Sequence, residues 1–257
     1  MDSCLVADTS FSREMPASTP YYPELKILPG NYRLIHQHVE RILFMDGALF
    51  ASGELLDTDQ SSIADWRIAG DLTFARTDAN VYNADSRLQS ASVAQLRAAG
   101  TNYPESIRHY LELPNNIPER VRDLVTRLTL NQPTPYDQVM VIQEYLRQFP
   151  YSLKVPGVPS NREATDYFLF DLQKGYCDYF ATSMAVMARL GGIPARLVVG
   201  FTSGTYDAES HRFVVVRANA HAWVEVYFPG IGWVEFEPTS NLPPIERLGE
   251  PAPPARK

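Results

Sequence analysis

From Phe180 to Leu190 nearly every residue is apolar or small: Phe180, Ala181, Met184, Ala185, Val186, Met187, Ala188 and Leu190. A helix apolar on almost all sides belongs in an interior, so the chain must fold around this stretch. Gly191-Gly192 ends it, and Ile193-Pro194 opens the exit into a strand-like run from Arg196 to Gly200. Just upstream stands Gly175-Tyr176-Cys177-Asp178-Tyr179, which puts Cys177 at or next to the first turn of a buried helix. Unpaired N–H groups and the positive end of the helix dipole favour thiolate at such a place. The same groups can stabilise the oxyanion formed when a thiolate attacks a carbonyl. Lone cysteines are commonly inert core residues. The nucleophile reading therefore depends on a base and an orienting group downstream.

Composition narrows the classes. A chain of 257 residues has room for one large domain or two small ones. Apolar residues at 45% and charged residues at 21% describe an ordinary globular protein. The net charge of −7, with no block of like charge, argues against a nucleic-acid partner. The cysteines are Cys4 and Cys177; neither a CxxC pair nor Cys/His spacing for zinc is present, so no metal or other cofactor is expected. A disulfide between them is not expected either, since Cys4 lies in a polar start and Cys177 on a buried helix. No apolar run reaches membrane-span length and no signal-peptide core follows Met1. The piece reads as soluble, with any membrane attachment made through segments outside it.

In chain order, residues 1–20 are polar and proline-punctuated and are predicted to be flexible. Residues 21–104 read as a small β-rich domain. Tyr32 to Phe44 is extended, Asp46-Gly47 is a turn signal, and Ala48 to Leu55 is predicted to return antiparallel to it. Asp71–Ala75 and Asn80–Tyr82 suggest further short strands, and His36 and His38 read as solvated strand residues. Helical signals begin with Ser92 to Ala99. They strengthen at Ile117-Pro118-Glu119, with Val121, Leu124, Val125 and Leu128 as an apolar stripe. Pro135 opens the next helix, with Val139, Ile142 and Leu146 inward. Tyr151 to Ala164 is a loop rich in turn residues, readable as a cleft wall or as a plain connector. After the Cys177 helix the period changes to two, and Arg196–Phe201, Phe213–Arg217, Ala222–Phe228 and Gly232–Phe236 read as consecutive strands. Helices followed by an antiparallel meander is an α+β order. Residues 105–242 are expected to form the catalytic core and 243–257 a proline-rich tail or linker.

The base sits on the strand that starts at His221. Period two puts His221, Trp223, Glu225 and Tyr227 on one face and Val224, Val226 and Phe228 on the other. With Phe228 opposite Gly230 in the following hairpin, His221 falls opposite Glu237. A register slipped by two keeps Glu237 diagonal to His221 on the same face, whereas a slip of one separates them. An imidazole with a carboxylate to orient it then awaits a nucleophile, and Cys177 is the good candidate. Cys–His–carboxylate is the thiol form of the catalytic triad.

The same residues carry a family resemblance. The motifs Gly175-Tyr176-Cys177-Asp178-Tyr179-Phe180-Ala181, Gly192-Ile193-Pro194-Ala195-Arg196, Ala220-His221-Ala222-Trp223-Val224-Glu225-Val226 and Gly232-Trp233-Val234-Glu235-Phe236-Glu237-Pro238-Thr239 resemble the transglutaminase-like core in order and spacing. The likeness is to its bacterial branch, found as extracytoplasmic domains of multi-spanning membrane proteins, and it reaches upstream through Tyr110-Leu111-Glu112-Leu113-Pro114. It implies a papain-like α+β fold with helices packed on an antiparallel sheet, Cys177 as nucleophile, His221 as base and Glu237 where the family usually carries aspartate. It implies a peptide or protein substrate: a glutamine carboxamide donor, with an amine or water as acceptor. Tyr151, Tyr167 and Trp223 are candidates for a second oxyanion donor or an apolar wall, and Asn219 for a cleft-lining residue. A cysteine peptidase or amidase on the same fold, and a non-catalytic binding domain, are the alternatives.

Overall fold

A computed structural model of the protein describes residues 10–22, 32–42 and 47–249. Cys4, the Leu43-Phe44 end of the first long predicted strand, Asp46 and residues 250–257 of the expected tail lie outside the described residues. The chain divides into two compact units, Met1–Ala91 and Ser92–Lys257.

The first unit is all β. Its strands are β1 (Phe11–Met15), β2 (Tyr32–Glu40), β3 (Glu54–Thr58), β4 (Ser62–Ile68), β5 (Asp71–Arg76) and β6 (Val81–Gln89). They form two three-stranded sheets, ordered β1-β4-β5 and β2-β6-β3. Two expectations are corrected here. Part of the supposedly flexible start is strand β1, held on β4 because Phe11 stacks on Trp66 at 5.4 Å and Met15 is buried. The stretch after Gly47 does not return along β2. Instead β6 pairs with β2 over its whole length, Tyr32 opposite Gln89 and Glu40 opposite Val81. β6 wins because it buries Tyr82, Ala84 and Ser86 from the centre of its sheet, and the Tyr82 hydroxyl holds the irregular 48–53 segment through the backbone of Phe50. His36 and His38 are exposed on β2, beside Asp85 and Asn83. No group of three possible metal ligands occurs among the described residues.

The second unit carries α1 (Val93–Ala98), a 3₁₀ helix (Glu105–Leu111), α2 (Glu119–Thr129), α3 (Pro135–Leu146), α4 (Ala164–Tyr167), which runs into a π turn (Phe168–Leu172), and α5 (Cys177–Leu190). The strands β7 (Ala195–Phe201), β8 (Thr205–Asp207), β9 (Arg212–Val214), β10 (Ala220–Phe228) and β11 (Gly232–Phe236) follow. Helix α1 belongs with this unit, on α3, although the sequence placed its residues before the domain boundary. Its capping box, Ser92 with Gln95, fixes where it starts. Thr134 caps α3 and Pro135 occupies its first turn, turning Val139, Ile142 and Leu146 fully inward. α5 is the central rod: Phe180, Ala181, Met184, Met187 and Ala188 are fully buried, against β10 and β7 on one side and α2, α3 and α4 on others. Gly192 takes a φ of +74°, a left-handed conformation suited to glycine, and releases the chain into β7.

The sheet runs β11-β10-β7. The expected consecutive meander is interrupted, because β8 and β9 pair only with each other as a separate hairpin. The chain leaves the sheet after Phe201 and rejoins it at Ala220, so β10 lies directly against β7.

Candidate active site

Cys177 is the first residue of α5. Tyr176 before it is extended and no side chain caps the helix, so the N-terminal turn meets the site with backbone alone. The entrance is set by Gly175. A Cβ there would stand 3.0 Å from Cβ of Tyr179 and 3.1 Å from Cε2 of Phe168, so those side chains would have to give by a few tenths of an ångström. Gly175 bridges Tyr151 in parallel fashion, its N–H donating to Pro150 (3.2 Å) and its carbonyl accepting from Ser152 N–H (2.7 Å). The loop expected as wall or connector is thus pinned beside Cys177 at its start. At its end Arg162 is tied to Asp166 and Asp171, which also hold Arg120.

β10 brings His221. In the observed register Phe228 faces Gly232 and Val224 faces Phe236, a slip of two from the simplest hairpin. Glu237, one residue past the end of β11, therefore lies diagonal to His221 on its face of the sheet. Nε2 of His221 is 2.5 Å from Oε2 of Glu237, and both side chains are over nine-tenths buried, 9% and 8% exposed. The Cys177 thiol donates to Oδ1 of Asp178 at 3.7 Å, and the charge of its thiolate favours the protonated imidazole. With Nε2 committed to the carboxylate, Nδ1 is the nitrogen left to face sulfur. Burial pulls the His221 pKa down, but the nearby Cys177 side chain, the hydrogen bond to Glu237 and the negative charges of both outweigh it, raising it to about 9. The second oxygen of Glu237, Oε1, accepts from Thr239 N–H at 2.8 Å.

That shift has a consequence for stability. The folded protein holds the His221 proton more tightly than the unfolded chain, where histidine titrates near pH ~6.5. The stabilisation is full below that pH and is lost as pH rises through about 9. Melting temperatures measured from pH 6 to 9.5 are expected to fall more steeply in wild type than in His221→Ala. Parallel curves would contradict the assignment of the proton.

The remaining predicted residues separate. Tyr151 is at the site: burial raises its hydroxyl pKa, and the charges of Cys177 and Asp178 raise it further. Trp223 lies beside His221, ring centroids 6.2 Å apart and planes within 15°, and its buried indole N–H has no hydrogen-bond partner among the described residues. Gly200 makes room for that indole, since a Cβ there would sit 2.9 Å from Cη2 of Trp223. Asn219 is used by the backbone instead: its Oδ1 accepts from Val216 N–H and its carbonyl from Thr202 N–H, which shapes the turn into β10. Tyr167 closes α4 with the Arg162 guanidinium 5.8 Å from its ring, and among the described residues nothing ties it to Cys177, His221 or Glu237. Sequence reasoning missed Gln143 of α3 and Arg147 at its C-cap, which reach the backbone of Glu237. Their signal was present: Gln143 is a polar residue inside the apolar stripe of Val139, Ile142 and Leu146.

Comparison with known proteins bears on the family and the fold. Residues 122–238 match the family model of the transglutaminase-like superfamily. Residues 122–238 form a transglutaminase-like core. The chain is 31% identical over 195 residues to a Pseudomonas aeruginosa protein-glutamine gamma-glutamyltransferase, covering 75% of the chain and 28% of that protein. It is 41% identical over 163 residues to the uncharacterized protein YebA of Bacillus subtilis, covering 61% of the chain and 22% of that protein. The matched stretch thus spans less than a third of either relative. Among solved structures it resembles the periplasmic domain of TgpA from Pseudomonas aeruginosa bound to ethylmercury, with a TM-score of 0.61 and 25% identity over 81% of this chain and 72% of that one. No helix among the described residues is long and apolar enough to cross a membrane.

Proposed function

We propose that the transglutaminase-like core is a thiol acyltransferase acting on the carboxamide of a peptide or protein glutamine, with Cys177, His221 and Glu237 as its triad. The observation that carries the reading is the buried hydrogen bond between His221 and Glu237, with Cys177 opening α5 and acting on the same imidazole. The Cys177 thiolate attacks the carboxamide carbon, and the carbonyl oxygen takes up the negative charge facing the first turn of α5. As the tetrahedral intermediate collapses, the C–N bond breaks and the imidazolium gives its proton to the departing ammonia. The neutral imidazole then takes a proton from the incoming amine as it attacks the thioester carbon, and the C–S bond breaks to restore thiolate and imidazolium. Tyr151 and the indole N–H of Trp223 are candidate wall or donor groups. The partly exposed Cys177 leaves water as a competing acceptor, which gives the amidase or peptidase reading. The similarity to a periplasmic domain supports an extracytoplasmic setting for this core.

The connection that delivers His221 is unusual for an exposed surface. Phe213, Val214, Val215 and Val216 run consecutively there, 64%, 49%, 47% and 52% exposed.

The test is alkylation of Cys177 by iodoacetamide against pH, with Cys4 replaced by Ser, in the presence and absence of His221. Fast reaction well below pH ~8.5, where a free thiol titrates, slowed by His221→Ala, is the expected result. A glutamine peptide supplied with and without a primary amine then separates isopeptide formation from deamidation. A reaction that titrates like a free thiol and ignores His221 would sink the catalytic reading and favour a binding domain.

A further inference from the structure

We propose that Gln143 on α3 and Arg147 at its C-cap are positioning residues that hold Glu237 in register with His221. The inference rests on the triad reading above. Glu237 follows the last residue of β11, so sheet pairing does not fix its backbone. Its polar groups are instead satisfied one by one. The N–H donates to Oε1 of Gln143 at 3.1 Å, and the carbonyl accepts from Nη1 of Arg147 at 2.9 Å. Oε1 accepts from Thr239 N–H, which leaves Oε2 for His221. Two of those four partners come from α3 and its C-cap residue, four residues apart and therefore on one helix face.

Arg147 extends the hold beyond Glu237. Nη1 also donates to the Thr239 carbonyl at 2.8 Å and Nη2 to that of Leu242 at 2.6 Å. A planar guanidinium suits several acceptors held in fixed directions, which a lysine ammonium cannot match. Gln143 is 2% exposed, inside the apolar stripe of α3, so its bond to Glu237 forms away from water, where it is strongest. Thr239 is fully buried, so the segment bearing the carboxylate is tied from both sides. The carboxylate aims at the imidazole because α3 fixes the backbone from which it projects.

The experiment follows the His221 imidazole titration by NMR, alongside iodoacetamide alkylation of Cys177, in the full chain carrying Cys4→Ser. The groups facing His221 are Cys177 from α5 and Glu237 from the exit of β11. Gln143→Met keeps the length of the side chain but cannot accept; Gln143→Glu keeps the acceptor; Arg147→Met removes the donors. Gln143→Met and Arg147→Met are expected to move the His221 titration from about 9 toward its ordinary ~6.5. Alkylation at pH 7 is expected to slow by roughly 10²-fold, the scale of a small misplacement of a reacting group. Gln143→Glu is expected to leave the titration at the wild-type value or above. Wild-type titration in both Met variants, with Glu237→Gln still lowering it, overturns the positioning role and leaves the triad standing. No change in Glu237→Gln overturns both. If Arg147→Met does not fold, Gln143→Met decides alone.

Discussion

Cys177→Ala is expected to leave a folded protein that forms no thioester, with acyl transfer reduced by a factor on the order of 10⁴ to 10⁶. The size follows from the chemistry: loss of the nucleophile removes a covalent step rather than tuning it. The fold should hardly notice. Cys177 is partly exposed, while the buried face of α5 begins at Phe180, so the substitution opens no core cavity. It does remove a partner of His221, whose titration should fall even though Glu237 remains. The measurement is mass spectrometry of the protein after exposure to a glutamine peptide, paired with a thermal melt. An acyl adduct on the Ala variant, or ammonia release at the wild-type rate, would exclude Cys177 as the nucleophile.

The parts of this architecture legible in sequence are those set by local rules. α5 announced itself by composition, because a helix apolar on nearly all sides has nowhere to go but the interior. Pro118, Pro135 and Gly191-Gly192 mark helix ends through backbone chemistry that neighbours cannot override. The His221–Glu237 pairing was readable because a slip of two leaves side chains on the same face, so the simplest register and the true one both bring the pair together. Long-range choices were not readable. That β6 rather than the segment after Gly47 pairs with β2 depends on which strand buries Tyr82. β1 depends on Trp66, more than fifty residues away in the chain, to cover Phe11. Asn219 looked like a cleft residue by its distance from His221, yet a turn needed its side chain first. Gln143 and Arg147 could be placed beside Glu237 only once α3 had been packed against the end of β11.

Glu237→Gln is the second substitution with a large expected effect, because of how the two carboxylate oxygens are used. Oε2 faces Nε2 of His221 at 2.5 Å and Oε1 accepts from Thr239 N–H at 2.8 Å. Both positions face hydrogen-bond donors when His221 is protonated, and an amide has only one acceptor oxygen. If the Gln oxygen turns to His221, its NH₂ confronts Thr239 N–H; if it turns to Thr239, the NH₂ confronts the imidazole. The first arrangement strands a buried donor at about 1–3 kcal/mol, and the second selects the wrong imidazole tautomer. Loss of activity approaching 10⁴-fold is expected, as when a triad carboxylate becomes an amide. Glu237→Asp behaves differently. It keeps both acceptors, but the backbone is held by Gln143 and Arg147, so the shortened side chain withdraws from His221 instead of carrying the chain inward. An intermediate loss of roughly 10²-fold is expected, although aspartate is the residue the family usually places there. His221 titration by NMR and alkylation of Cys177 at pH 7 order the variants as wild type, then Asp, then Gln. A Gln variant whose His221 still titrates near 9 and whose Cys177 still alkylates at the wild-type rate would remove Glu237 from the mechanism.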